Sequence, residues 1–156
     1  SLFNVYLAKL LLNYLFKQPD KAVADASLAA EYAQAAIGFM MIGTHNFYYS
    51  LALLAVYPTA DSAEQAKHLM QVVANQEKMR KWAHHAPMNY QHKYELVEAE
   101  KARVLGDKDK AIDYYDRAIQ HSREQGYIQE EALANELAAE FYLFVGRRLH
   151  PLGCEC

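Results

Sequence analysis

Leu105-Gly-Asp-Lys-Asp-Lys-Ala-Ile-Asp-Tyr-Tyr-Asp-Arg-Ala-Ile119 decides the fold class. An apolar helix ends at Gly106, and the residues after it read as the turn and second helix of an antiparallel hairpin. Gly146 lies forty residues further on and again follows an apolar helix. Elsewhere the chain runs through long stretches of good helix formers. Glycine (six) and proline (four) are sparse, and period-2 alternation of β-branched residues is nowhere sustained. The chain therefore reads as all-α. Seven helices are predicted, near Leu2–Lys17, Lys21–Ile37, His45–Val56, Ser62–His84, Pro87–Leu105, Lys108–Gln125 and Ile128–Val145.

The second helices repeat one another. Asp20-Lys-Ala-Val23 matches Asp109-Lys-Ala-Ile112, and Ala29 follows Ala22 by the seven residues that separate Ala118 from Ala111. Ala66, with Met70 and Val73, fits the same slots, so the key alanines stand at 22, 66 and 111, at intervals of 44 and 45 residues. Small side chains at Ala22, Ala66, Ala99, Ala111, Ala118 and Ala139 let helix backbones approach where larger ones overpack. The hairpins resemble tetratricopeptide repeats whose helices or linkers exceed the standard unit of about 34 residues. That resemblance implies an α-α superhelix of antiparallel hairpins over 1–146 and an irregular or divergent tail at 147–156. Such a unit cannot bury its own apolar face, so units stack, and the product is surface rather than a catalytic pocket.

Bulk properties exclude several classes. With 156 residues, 53% of them apolar, the chain has enough material for one continuous core. Sixteen basic and nineteen acidic side chains are interspersed, giving a net charge of −3 and no electrostatic footprint for nucleic acid or an anionic membrane. The longest apolar run, Leu51-Ala-Leu-Leu-Ala-Val-Tyr57, is far short of the roughly 20 residues that cross a bilayer. Leu2 to Phe16 reads as a core helix rather than a signal peptide, because Lys9 and Asn13 interrupt it. The opening Ser1 reads as the start of an excised fragment. The two cysteines, Cys154 and Cys156, cannot staple the body and fit a reducing cytoplasm.

Trp82-Ala-His-His-Ala-Pro-Met-Asn-Tyr-Gln-His-Lys-Tyr94, Val97-Glu-Ala-Glu100 and Glu130-Glu-Ala-Leu-Ala-Asn-Glu-Leu-Ala-Ala-Glu-Phe-Tyr142 resemble large cyanobacterial multidomain signalling kinases. In those proteins a serine/threonine kinase, an AAA-like ATPase, a helical-repeat region, a GAF domain and a sensor histidine kinase share one polypeptide. The resemblance spans about Leu2 to Leu143, within the repeat region alone, and includes none of the family's catalytic motifs. It implies a non-catalytic, cytoplasmic segment without cofactor that docks a protein, a peptide or a neighbouring domain. After Leu143 the pattern departs: Pro151 stands where a small alanine belongs, and a helix-interior proline costs about 3 kcal/mol. The last helix is thus expected to lack its partner, leaving Leu137, Phe141, Phe144 and Val145 to face a second copy in a homodimer.

Candidate chemistry is thin. His84, His85 and His92, with Glu95, are the best metal-like group and the basis of a metal-dependent-enzyme alternative. Adjacent histidines on a helix point about 100° apart, and Pro87 interrupts the path to His92, so a role at a turn is the expectation. Cys154 and Cys156 supply too few ligands for a closed site. There is no phosphate-loop pattern, and Glu98, Glu100, Glu130 and Glu131 beside Lys101 and Arg103 read as solvated helix faces. Trp82 is expected to anchor one hairpin on the next. Among the twelve tyrosines Tyr115 and Tyr142 should pack, whereas Tyr48 and Tyr114 should be exposed. First helices of stacked hairpins line the inner surface, which predicts a partner-binding face of Asn4, Tyr48, Lys93, Glu100, Arg103, Glu136 and Glu140 over a floor of Leu7, Leu51 and Leu96. Such a groove suits an amphipathic helix or extended peptide. The structural alternative is a passive spacer between the ATPase and sensor-kinase modules.

Overall fold

The computed structural model describes residues 1–33 and 39–149, with side chains described at 1–33 and 40–146. Among these, seven α-helices and no strand are present: α1 Leu2–Leu15, α2 Pro19–Glu31, α3 Phe39–Val56, α4 Ser62–His85, α5 Pro87–Leu105, α6 Lys108–Glu124 and α7 Ile128–Leu149. The all-α class and the number of helices agree with the sequence. Their ends follow from local chemistry. Pro19 and Pro87 open α2 and α5, where a missing N–H costs nothing. Asp61 and Asp107 cap α4 and α6 by accepting from the N–H of Glu64 at 2.9 Å and of Lys110 at 3.2 Å.

Gly106 ends α5 in the left-handed region at φ 81°, its N–H bonding to Arg103 O while that of Asp107 reaches back to Ala102 O. Gly126 repeats this arrangement after α6 at φ 75°. Gly146 does not, and the expected helix end at Val145 is corrected: α7 continues through the glycine to Leu149, so 147–149 belong to the helix rather than to an irregular tail. A mid-helix glycine costs only about 1 kcal/mol against alanine, too little by itself to stop a helix. The remaining tail, including Cys154 and Cys156, lies outside the described residues. Helix α2 ends at Glu31 with Tyr32 as its cap, six residues before the expected Ile37, and 34–38 lie outside the described residues. Helix α3 starts at Phe39, six residues before the expected His45.

Connections of a few residues force neighbouring helices to run antiparallel. Each even-numbered helix packs on the odd-numbered helices before and after it, while α1, α3, α5 and α7 touch in turn and form a second layer. Phe3, Leu10, Phe47, Leu51, Leu54, Met79, Leu96 and Tyr115 fill the space between the layers. Leu7, Leu51 and Leu96 are therefore core and not the floor of an open surface. Ala22, Ala29, Ala111 and Ala118 are fully buried, as the repeat requires, but Ala66 and Ala139 are exposed, and so are Met70 and Val73. In α4 the buried row is Val72, Asn75, Gln76, Met79 and Ala83, whereas the start of that helix is exposed or half-buried and does not obey the alanine register. Trp82 does tie α4 to α5, its ring 5.9 Å from Tyr90.

Gly43 allows a close approach between α3 and α5. A Cβ at this position would lie 2.7 Å from Tyr90 Cε1, and Tyr90 is itself buried and held by Trp82. Gly43→Ala is expected to destabilise the fold by about 1–3 kcal/mol despite the better helix propensity of alanine, a loss measurable as a lower urea midpoint.

Candidate functional site

The odd-numbered layer contains a groove of about 610 Å³, bounded by the C-terminal ends of α1, α3 and α5, the start of α6 and the second half of α7. Its apolar wall is Ala55, Pro58, Val104, Leu137, Phe141, Phe144 and Val145, and its polar groups are Tyr14, Lys17, Glu100, Arg103, Lys108 and Glu140. The volume lies within the range of roughly 300–1,000 Å³ typical of ligand sites.

At its base the Glu100 carboxylate, only 3% exposed, receives Arg103 Nη2 at 2.7 Å and Nε at 3.1 Å, and accepts the hydroxyl hydrogen of fully buried Tyr115. Spacing of three residues puts Glu100 and Arg103 on one face of α5, and antiparallel packing brings Tyr115 of α6 against them. Burial and the adjacent Glu100 charge raise both the Tyr115 and Tyr14 hydroxyls well above the usual tyrosine range, so both remain neutral donors. The base is a closed charge network that fixes α5 to α6.

Lys17 forms the rim. Its backbone has φ 58°, the one positive value at a non-glycine among the described residues, and its N–H bonds to Tyr14 O while that of Gln18 bonds to Asn13 O. This is the helix-ending geometry that Gly106 and Gly126 adopt, filled here by a residue for which the left-handed region costs about 1–2 kcal/mol. In return its ammonium extends across the groove to Glu136 at 2.7 Å and Glu140 at 3.0 Å, 119 and 123 positions away in the chain. Lys108 also lines the groove and makes no ion pair among the described residues.

Of the seven predicted binding residues, Glu100, Arg103 and Glu140 line the groove, and Glu136 joins through Lys17. Asn4 is exposed, as expected, and lies outside this groove. Two predictions are corrected. Tyr48 is buried, packed edge-on against Tyr14 and Phe47 with ring separations of 5.7 and 5.0 Å, and burial lifts its hydroxyl to about 12. Lys93 points between α5 and α7, its ammonium 3.2 Å from Glu130, 3.1 Å from His92 Nε2 and over the Tyr127 ring at 4.4 Å. The reason is shared: hairpin register gives the layer a residue occupies, but not which of its neighbours it faces. The exposure expected for Tyr114 and the packing expected for Tyr142 are also reversed in emphasis, since Tyr114 is half-buried and Tyr142 is 45% exposed.

The histidines do not assemble into one site. His84 and His85 are exposed at the end of α4, whereas His92 is 2% exposed and faces Tyr127. Nor are the carboxylates all solvated: Glu98 and Glu100 are buried, and fully buried Glu95 accepts from His121 Nδ1 at 2.6 Å with Arg117 at 3.4 Å. The proposed dimer stripe divides. Leu137 and Phe141 are buried against the groove and Tyr115, Val145 is half-buried, and Phe144 alone is largely exposed. Sequence reasoning missed Tyr14, Lys17 and Lys108. The signal for Lys17 was its position, where α5 and α6 have glycine. Compared with protein-family models, curated proteins and solved structures, the chain finds no match in any of the three.

Proposed function

We propose that this chain is a non-catalytic docking segment, tetratricopeptide-like in architecture, that binds a peptide or neighbouring domain in the groove between α1, α5 and α7. The observation that carries the reading is the composition of that groove: an apolar wall ending in exposed Phe144, a rim with Lys108, which has no ion-pair partner among the described residues, and a base of already neutralised charges. Apolar area with a few convergent polar groups supports binding, and the paired base offers no free nucleophile. The resemblance of Trp82–Tyr94, Val97–Glu100 and Glu130–Tyr142 to cyanobacterial signalling kinases supports reading the segment as one that lies between the ATPase and sensor-kinase modules of such a cytoplasmic protein. Docking there links module occupancy to module orientation. This placement rests on resemblance.

Selection of a random displayed-peptide library against the chain tests the binding reading. Selected peptides should lose about tenfold or more in affinity on Phe144→Ala and on Lys108→Glu, as expected for an aromatic anchor and a rim charge. Both positions are exposed, so the variants should keep the parent's circular dichroism. Peptides that bind parent and variants alike, or no selected peptide at all, favour the passive spacer.

A further inference from the structure

Two outer faces, on the first and the last helix, have none of the described residues packed on them. On α1, Leu2, Val5, Leu12 and Phe16 are 50–72% exposed and share a stripe with Lys9, on the far side from buried Phe3, Leu7, Leu10 and Tyr14. Four exposed apolar side chains on one 14-residue helix and its cap form a contiguous patch of the kind that marks an interaction surface. On α7, Ala132, Ala139 and Gly146 recur every seven residues with Leu143 beside them, all exposed and turned away from buried Ala134, Leu137, Ala138 and Phe141.

We propose that a second copy of this chain covers these faces, with α1 of one copy lying antiparallel along α7 of the next. Shape and charge both select this pairing. The α1 stripe is large and the α7 stripe small, and both repeat at seven residues, so the ridge of one fits the groove of the other at a shallow crossing angle. Setting Lys9 against Ala139 puts Leu2 at Gly146, Val5 at Leu143 and Phe16 at Ala132. The Lys9 ammonium, which among the described residues lies over the Tyr6 ring at 5.5 Å, then sits within a turn of Glu136 and beside Glu140. Among the described residues those two carboxylates share the single ammonium of Lys17, two negative charges against one positive. An α1–α1 contact brings Lys9 against Lys9, and an α7–α7 contact brings the glutamate pair against its copy. Like-charge juxtaposition disfavours both, and only the mixed contact matches opposite charges. The two faces differ, so the contact is head-to-tail and each added copy presents a fresh end.

Sedimentation equilibrium of the intact chain over a range of concentrations should show an average mass that rises past about twice the monomer. Leu12→Glu, facing Glu136, blocks one end, and Ala139→Arg, facing Lys9, blocks the other. Each variant alone should be monomeric, and an equimolar mixture should form a one-to-one dimer and grow no further, because each partner keeps one intact face. Both changes are at exposed helix positions and use good helix formers, so circular dichroism should be unchanged. A wild-type chain that stays monomeric overturns the proposal. So does an Ala139→Arg variant that still dimerises by itself, since that outcome assigns the contact to two copies of α1.

Discussion

Tyr115→Ala should lower stability by about 3–5 kcal/mol, the range for removing a large buried aromatic. Tyr115 is the largest fully buried side chain and packs on Phe141 of α7 with rings 5.5 Å apart. Its hydroxyl donates to Glu100. Truncation therefore opens a cavity between α5, α6 and α7 and removes a donor from a carboxylate that has almost no access to water. For a chain of this size the loss corresponds to a fall in melting temperature of about 6–20 °C. Tyr115→Phe separates the two contributions. It retains the packing and should cost only about 1–3 kcal/mol for the lost hydrogen bond at buried Glu100. Thermal melts of the two variants followed at 222 nm decide the point. Equal losses would show that the hydroxyl, and not the ring, fixes α6 to α5.

Acid should weaken the fold through His92. Burial, and then the adjacent Lys93 ammonium, depress its imidazole from 6.5 to about 3. Lys93 donates to Nε2, so the neutral ring must accept there, and protonation would put a second cation against the first. With the folded pKa depressed for a base, the unfolded chain binds the proton first. The stabilisation is complete above about pH 6.5 and declines as pH falls toward 3. At pH 4 the loss from this one group is about 3 kcal/mol, from 1.36 kcal/mol per pH interval below the unfolded value. His45, also depressed by burial and bonded at 2.8 Å to Ala26 O, acts in the same direction. Urea midpoints of wild type and His92→Gln at pH 7 and pH 4 should converge at the lower pH, because glutamine keeps an acceptor and does not titrate. Parallel declines in the two proteins would assign the acid sensitivity to other groups.

The sequence alone determined that the described residues are all-α, how many helices they form, and where α4, α5 and α6 lie. Proline, glycine and capping aspartates act within a turn or two of backbone, so Pro87, Gly106 and Asp107 bound their helices whatever the rest of the chain does. The match between Ala22 and Ala111 was legible for the same reason, since each begins a helix whose buried row follows directly from its start. Ala66 broke that register because the buried row of α4 begins only at Val72, about three turns into the helix, which no local pattern carries. Gly146 misled in the opposite way: a mid-helix glycine costs only about 1 kcal/mol against alanine, and α7 runs through it to Leu149. Of the groove, the sequence supplied Glu100 and Arg103, three residues apart on one helix. Only tertiary structure added Tyr14, Lys17 and Lys108, sent Lys93 and Tyr48 into the interior, and left the outer face of α1 uncovered. Helix periodicity gives the direction of a side chain relative to its own axis. Which neighbour occupies that direction is set by how the helices cross, and that depends on every other helix in the stack.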